Sequence, residues 1–291
     1  MKIETLLDYD LYLTMSWGPV STHGVCGHTF ELLEYFMILN KHFNVGIFLC
    51  EYDSNIIEQC LNKYNLTYDE IQHILSRIVF NKGSTPTLIR STNILVVDGG
   101  SNLLDNVTFL VNNLLAFSCQ QPYDKRFMYL QDERLYDSND ITSIDYKKKI
   151  YFDKFKPIDK SYNNTLLYGT SNCRPISTSY LKNLDTDKNY ILVTNSYYDT
   201  PSNVEIYRPP VNNLFELFDT YIYTSVPRVW DCSPRFLAEC KYYNKKIIFD
   251  IDYDIKQDLG LYYRVYDIKN DFDSLYLKQD DQIIQILKGI L

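Results

Sequence analysis

Two carboxylates and a guanidinium, Asp132-Glu133-Arg134, stand one residue beyond the short apolar run Phe127-Met128-Tyr129-Leu130. A run of that length reads as a buried strand. A carboxylate at a strand tip serves as a general base when it reaches a hydroxyl proton. An adjacent cation such as Arg134 would keep Asp132 ionised, and Glu133 could assist it or face solvent. Taken alone, Asp132 also reads as a loop-capping residue. A second cluster, Gly169-Thr170-Ser171-Asn172-Cys173-Arg174, follows the apolar run 165–168. Backbone donors there would hold one phosphate oxygen and the forked Arg174 guanidinium another. An ordinary surface turn fits the same residues. A third cluster is Ser233-Pro234-Arg235, with Glu239 four residues beyond Arg235. Pro234 suits a first helical turn. The i, i+4 spacing gives either an intrahelical salt bridge or a functional pair, with Arg235 on a phosphate and Glu239 accepting from two ribose hydroxyls. The fourth stretch, Ser16 to Phe30, carries Gly18, Gly24 and Gly27 and leads into a helical pattern. Free backbone N–H groups near Gly27 and His28 suit a phosphate or sugar oxygen. The stretch lacks the glycine spacing of dinucleotide binders and the Gly-Lys-Ser/Thr of a P-loop.

Charge narrows the partners. The formal net charge is -8 over 291 residues, and residues 1–120 hold 6 basic against 12 acidic side chains. Residues 121–170 hold 9 and 8, which makes the middle of the chain the only relatively basic zone. An acidic protein has no global field to draw in polyanions, so nucleic-acid binding must rest on a local patch. Lys147-Lys148-Lys149, Lys154, Lys156 and Lys160 are the candidates, with a solvated linker as the alternative reading. The 27 tyrosines fit AT-rich codon usage or, less simply, a functional aromatic surface.

Seven scattered cysteines form no Cys-x-x-Cys pair and no zinc spacing with histidine. No metal site is expected, and reduced thiols in a cytoplasm are. Acidic sequence rather than an apolar core follows Met1-Lys2-Ile3, and no apolar run is long enough to span a membrane.

These clusters need elements to hold them. Strands are expected at 11–15, 45–50, 93–97 and 127–130, with helices at 29–39, across 55–80 with a break near Asn65, and at 109–117. Such alternation points to a parallel sheet covered on both faces. The polar, Lys-rich stretch 138–160 reads as a linker holding one strand-like piece, KKIYFDKF. Alternation resumes with strands at 165–168, 190–194, 204–207, 220–223 and 246–250, helices at 236–243 and 282–290, and no internal repeat. The expected division is 1–158 and 159–291, the last helix packing back toward the first part. Two facing parallel-sheet domains would place a cleft at the carboxyl ends of both strand sets.

In order along the chain, five islands resemble the bacteriophage DNA β-glucosyltransferases, two-domain glycosyltransferases of the GT-B class. YLQDERL resembles that family's strand followed by Asp-x-Arg-Leu, and KKIYFDKFKPIDK its segment crossing between domains. TLLYGTSNCR resembles its strand, glycine turn and donor-phosphate arginine. PRFLAECKYYNKKIIFDIDYD is similar to its Arg-helix-Glu element, and YRVYDIKNDFDSL to its strand leading into the last helix. The resemblance implies two facing Rossmann-like domains, Asp132 as catalytic base, Arg174 on the donor phosphate and Glu239 on the ribose. His28 falls near an acidic position that contacts the donor in the family. Arg235 sits one residue further from Glu239 than in the family pattern. Ser177 to Ser179 replaces a second arginine after the glycine turn, and the stretch from Asp137 to Lys148 is shorter.

The implied reaction is inverting transfer of a sugar, glucose foremost, from a UDP-sugar to a hydroxymethylated pyrimidine in viral DNA. No cofactor is expected to bind tightly, though Mg²⁺ could assist loosely. A glycosyltransferase for a protein or small-molecule acceptor, or a non-catalytic nucleotide-binding protein of the same fold, would share most of these features. VVDGG at 96–100 raises a methyltransferase, but the usual glycine-rich turn after its first strand is missing.

Overall fold

The computed structural model describes residues 9–14, 27–49, 53–80, 87–90, 93–96, 107–110, 113–117, 127–129, 143–144, 150–169, 176–225, 235–251, 284–285 and 287–289. They form an α/β fold built on two wholly parallel sheets and a smaller parallel pair.

The first sheet contains β1 (Leu11–Thr14), β2 (Val45–Leu49), β3 (Ile78–Phe80), β5 (Asn93–Val96), β7 (Asn113–Phe117), β8 (Phe127–Tyr129) and β9 (Ser143–Ile144). Its order is β3-β2-β1-β5-β7-β8-β9, while β4 (Thr87–Arg90) pairs with β6 (Val107–Leu110) apart from it. The second sheet runs β12-β11-β10-β13-β14, formed by Val204–Tyr207, Tyr190–Val193, Thr165–Tyr168, Thr220–Ser225 and Lys246–Ile251 respectively. Within each sheet the chain starts in the middle, winds outward one way, then returns and winds the other way. This is the doubly wound order in which a crevice opens where the winding reverses. The reversal lies between β1 and β5 in the first sheet and between β10 and β13 in the second.

Why the central runs are strands follows from their two buried faces. Leu166 and Leu167 both have zero exposure, yet alternate residues belong to different clusters. Leu166, Ile191, Val193, Tyr221 and Tyr223 join the large cluster, and Leu167, Leu192, Tyr190 and Val204 the smaller. A strand covered on both sides must be apolar at every position, not at alternate ones. The tight cover shows at Gly46 in β2, where a Cβ would lie 2.3 Å from the Tyr9 ring, so no larger residue fits without displacing it.

Helices complete the layers, among the described residues α1 (Gly27–Leu39), α2 (Ser54–Leu61), α3 (Tyr68–Ser76), α4 (Thr178–Lys182) and α5 (Arg235–Tyr242). Their starts follow local rules. The Asp53 carboxylate accepts from the Asn55 and Ile56 amides ahead of α2. Thr67 and Glu70 form a reciprocal capping box on α3. Residues 284, 285, 287 and 288 are helical, and Ile284 and Leu287 are buried in the large cluster.

Three expectations change. The stretch 109–117, expected as a helix, is split between β6 and β7. A short apolar run does not separate a buried helix from buried strands by periodicity. The end of the expected helical region 55–80 is β3. The described part of KKIYFDKF is a 3-10 turn, Phe152–Lys154, beside an isolated antiparallel bridge from Phe155 to Tyr64, not a strand. Nor is this part a solvated linker, because Ile150, Tyr151 and Phe155 are buried. Buried side chains from both sheets form one continuous cluster.

Candidate functional site

The sequence places two acids, Glu31 and Glu34, in the apolar helix TFELLEYFMIL. A helix that is apolar nearly all round is buried, and a carboxylate on it needs partners. Glu34 is 1% exposed. Its partner is Arg235, the first residue of α5, 201 positions later in the chain. The guanidinium takes Glu34 end-on: Nη1 donates to Oε2 at 2.9 Å and Nη2 donates to Oε1. Its remaining edge turns back along α5, where Nε donates to Glu239 Oε1 at 2.6 Å. Tyr64 completes the Glu34 carboxylate, its hydroxyl donating to Oε1 at 2.7 Å.

Lys63 closes the cluster from the other side, ion-paired to Glu239 Oε1. Its ammonium lies 4.4 Å from the Phe30 ring centroid, 4.7 Å from Phe155 and 5.6 Å from Phe215. Three ring faces around one ammonium replace part of its lost hydration. Two cations and two carboxylates thus balance inside the junction of α1, the end of α2, the segment near Phe155, and α5. The backbone ties these parts as well. Asn65 N donates to Lys154 O, and Lys156 N to Lys63 O. Phe152 stacks on Tyr242 with centroids 4.7 Å apart.

Burial alone would push the Glu239 carboxyl up, but Lys63 and Arg235 more than reverse this and hold it below the usual carboxylate range. Burial and the Glu34 charge push the Tyr64 hydroxyl well up, so it remains a donor. The sign for stability follows. The unfolded chain takes up a proton at Glu239 before the folded chain does, so folding weakens as pH falls through the window between the two values. We expect chemical denaturation to show stability falling below about pH 4.5. In Glu239→Gln that part of the acid dependence should be gone; an unchanged acid limb would contradict the pairing.

The two starts of α1 and α5 lie side by side. A Cβ added at Gly27 would meet Arg235 Cδ at 3.7 Å, an ordinary contact. Gly27 opens the helix after β1, and Arg235 opens the helix after β13. Each of these strands borders its sheet's winding reversal. At the tip of β1, Thr14 is 1% exposed, and its Oγ1 has no hydrogen-bond partner among the described residues. At the tip of β10, Gly169 N donates to Val193 O. The backbone amide of Gly169 is therefore spent within the sheet, and any phosphate contact from this turn has to come from residues after it.

Of the residues singled out in the sequence, Arg235, Glu239, Gly27, Gly169, Lys154, Lys156 and Lys160 are described, the last two exposed, and His28 through its backbone only. Asp132, Glu133, Arg134, Ser171, Arg174 and Lys147 to Lys149 lie outside the described residues. The Arg235–Glu239 spacing gives the intrahelical pair, one of its two readings. Both side chains are committed to charged protein partners rather than turned toward open space, at 6% and 3% exposure. Lys154 pairs with Glu70 at 3.5 Å on the surface. Sequence reasoning missed Glu34, Lys63 and Tyr64. The available signal was the pair of acids inside an otherwise apolar helix.

Among the described residues, no group of three His, Cys, Asp or Glu side chains could hold a metal ion, and no helix is long and apolar enough to cross a membrane. No protein-family model matches the chain, and no curated protein compared with it does.

Proposed function

We propose that this chain is an inverting, UDP-sugar-dependent glycosyltransferase of the GT-B class, acting on a hydroxymethylated pyrimidine in viral DNA. The observation that carries this reading is the repeated doubly wound order, with the helix starts that flank the two winding reversals held against each other at Gly27 and Arg235. Open parallel sheets bind ligands at that reversal, and paired helix starts favour an anionic group such as a diphosphate.

In this scheme Asp132 takes the proton from the acceptor hydroxyl. The oxygen attacks the anomeric carbon as the bond to the diphosphate breaks, and UDP departs from the opposite side. The configuration inverts, giving a β-linkage. Arg174 and the backbone donors of the turn after Gly169 stabilise the charge growing on the leaving group. Arg235 and Glu239 act at one remove, joining α5 to α1 through Glu34 and to the end of α2 through Lys63. A target base in a duplex would leave the stack to reach the site.

The test is mass spectrometry of hydroxymethylated DNA after incubation with a panel of nucleotide sugars, beside calorimetric titration with UDP. A hexose mass gain from UDP-glucose is the expected result. No gain with any donor, together with no UDP binding, overturns the proposal. The net charge of -8 favours one second reading, a transferase for a protein or small-molecule acceptor. That enzyme would bind UDP-glucose and leave the DNA unmodified.

A further inference from the structure

At the carboxyl edge of the second sheet, Tyr197 is 94% exposed, on the loop that leaves β11. The Arg208 guanidinium, just past β12, covers that ring with its centre 4.8 Å from the centroid. Arg208 is held firmly. Nη1 donates to Thr194 O at 2.8 Å and to Ser196 O at 2.6 Å. The loop it grips is further set by Thr194 Oγ1, which accepts from Ser196 N at 3.1 Å. Those two bonds use the Nη1 hydrogens. The Nε and Nη2 hydrogens have no acceptor, and the guanidinium has no carboxylate partner, among the described residues.

An arginine without a carboxylate partner among the described residues is a notable feature in a chain of net charge -8. Its Nε–Nη2 edge is the one that grips two oxygens of a phosphate in parallel. Its face, meanwhile, steadies an aromatic ring that almost nothing else covers. A phosphate fork beside a flat exposed ring matches one nucleotide of an unstacked strand, the phosphate on the arginine and the base on the tyrosine.

We propose that Tyr197 and Arg208 form a contact point for single-stranded nucleic acid. This deepens the DNA-acceptor part of the proposed function and rests on it for the choice of strand over another nucleotide. Two features favour a strand over the donor nucleotide. Ring exposure this complete suits a polymer lying across an open edge rather than a molecule enclosed in a crevice. The pair also lies just beyond the ends of β11 and β12, away from the β10–β13 reversal where the donor is expected. Asp199 and Glu205, close in sequence to Tyr197 and Arg208, oppose the strand's charge, so the contact is led by stacking and its affinity is modest.

The test is fluorescence anisotropy of the full chain with labelled oligothymidylate, paired with calorimetric titration by UDP. Tyr197→Ala should weaken oligonucleotide binding about tenfold, Tyr197→Phe should keep it, and neither should alter UDP affinity. Arg208→Ala should lower the slope of log affinity against log salt by about 0.7, the loss of one phosphate contact. The proposal is overturned if the wild type does not bind the oligonucleotide, or if Tyr197→Ala binds it as well as the wild type. A matching loss of UDP affinity also overturns it, by assigning the pair to the donor. Loss of sugar transfer with intact oligonucleotide binding would count against the proposed reaction and not against this contact.

Discussion

Arg235→Met should cost about 3–5 kcal/mol of stability, the usual penalty for removing one partner from a buried ion pair. The change strips Glu34 of both its guanidinium bonds and leaves it, among the described residues, with the Tyr64 hydroxyl. Glu239 retains Lys63. The harm is therefore concentrated on one carboxylate, buried at the start of the junction between α1 and α5. That location makes a second measurement informative. In Arg235→Met/Glu34→Leu the stranded charge is gone, and an apolar pair of similar volume is often as stable as the ions it replaces. The double variant should recover most of the loss, and its denaturation midpoint should exceed that of Arg235→Met. A single variant as stable as the wild type, or strictly additive losses, would mean that the two groups do not share this energy.

Asp132→Asn should lower turnover about 10²–10⁴-fold, the range a positioned general base contributes. The amide keeps the size of the carboxylate and removes its basicity, so UDP-glucose affinity should be retained while transfer is lost. Calorimetry and transfer assays on one preparation separate the two effects. Equal loss of donor binding would assign Asp132 to the donor seat. Unchanged turnover would place the base elsewhere, and Glu133 would be the next residue to replace.

How far these features could be read from the chain depended on how local their causes are. The strands TLLY and YILV are short apolar runs closed by turn residues, and burial on both faces leaves such runs little alternative; VEIY and KIIFD are edge strands that keep exposed positions, at Glu205 and at Lys246, Ile248 and Asp250. VTFL and NLLAF failed the same test because together they imitate one buried helix, and only pairing with distant strands decides between the two. TSYLK, the five-residue helix α4, is too short to announce itself by period. The charged cluster divides in the same way. Arg235 and Glu239 lie one turn apart, so their pairing was visible as one option. Glu34 and Lys63 belong to other segments, and nothing in their neighbourhoods names Arg235. The two acids in α1 did signal that some cation must come to them.

The long reach of that bond sets an order of events during synthesis. Glu34 leaves the ribosome 201 residues ahead of Arg235. At typical elongation rates the interval is on the order of 10–40 s. Until Arg235 follows, α1 lacks the guanidinium that its buried acid meets in the fold, and burying an unpaired carboxylate there is costly. The weld between α1 and α5 is therefore a late event in the chain's synthesis.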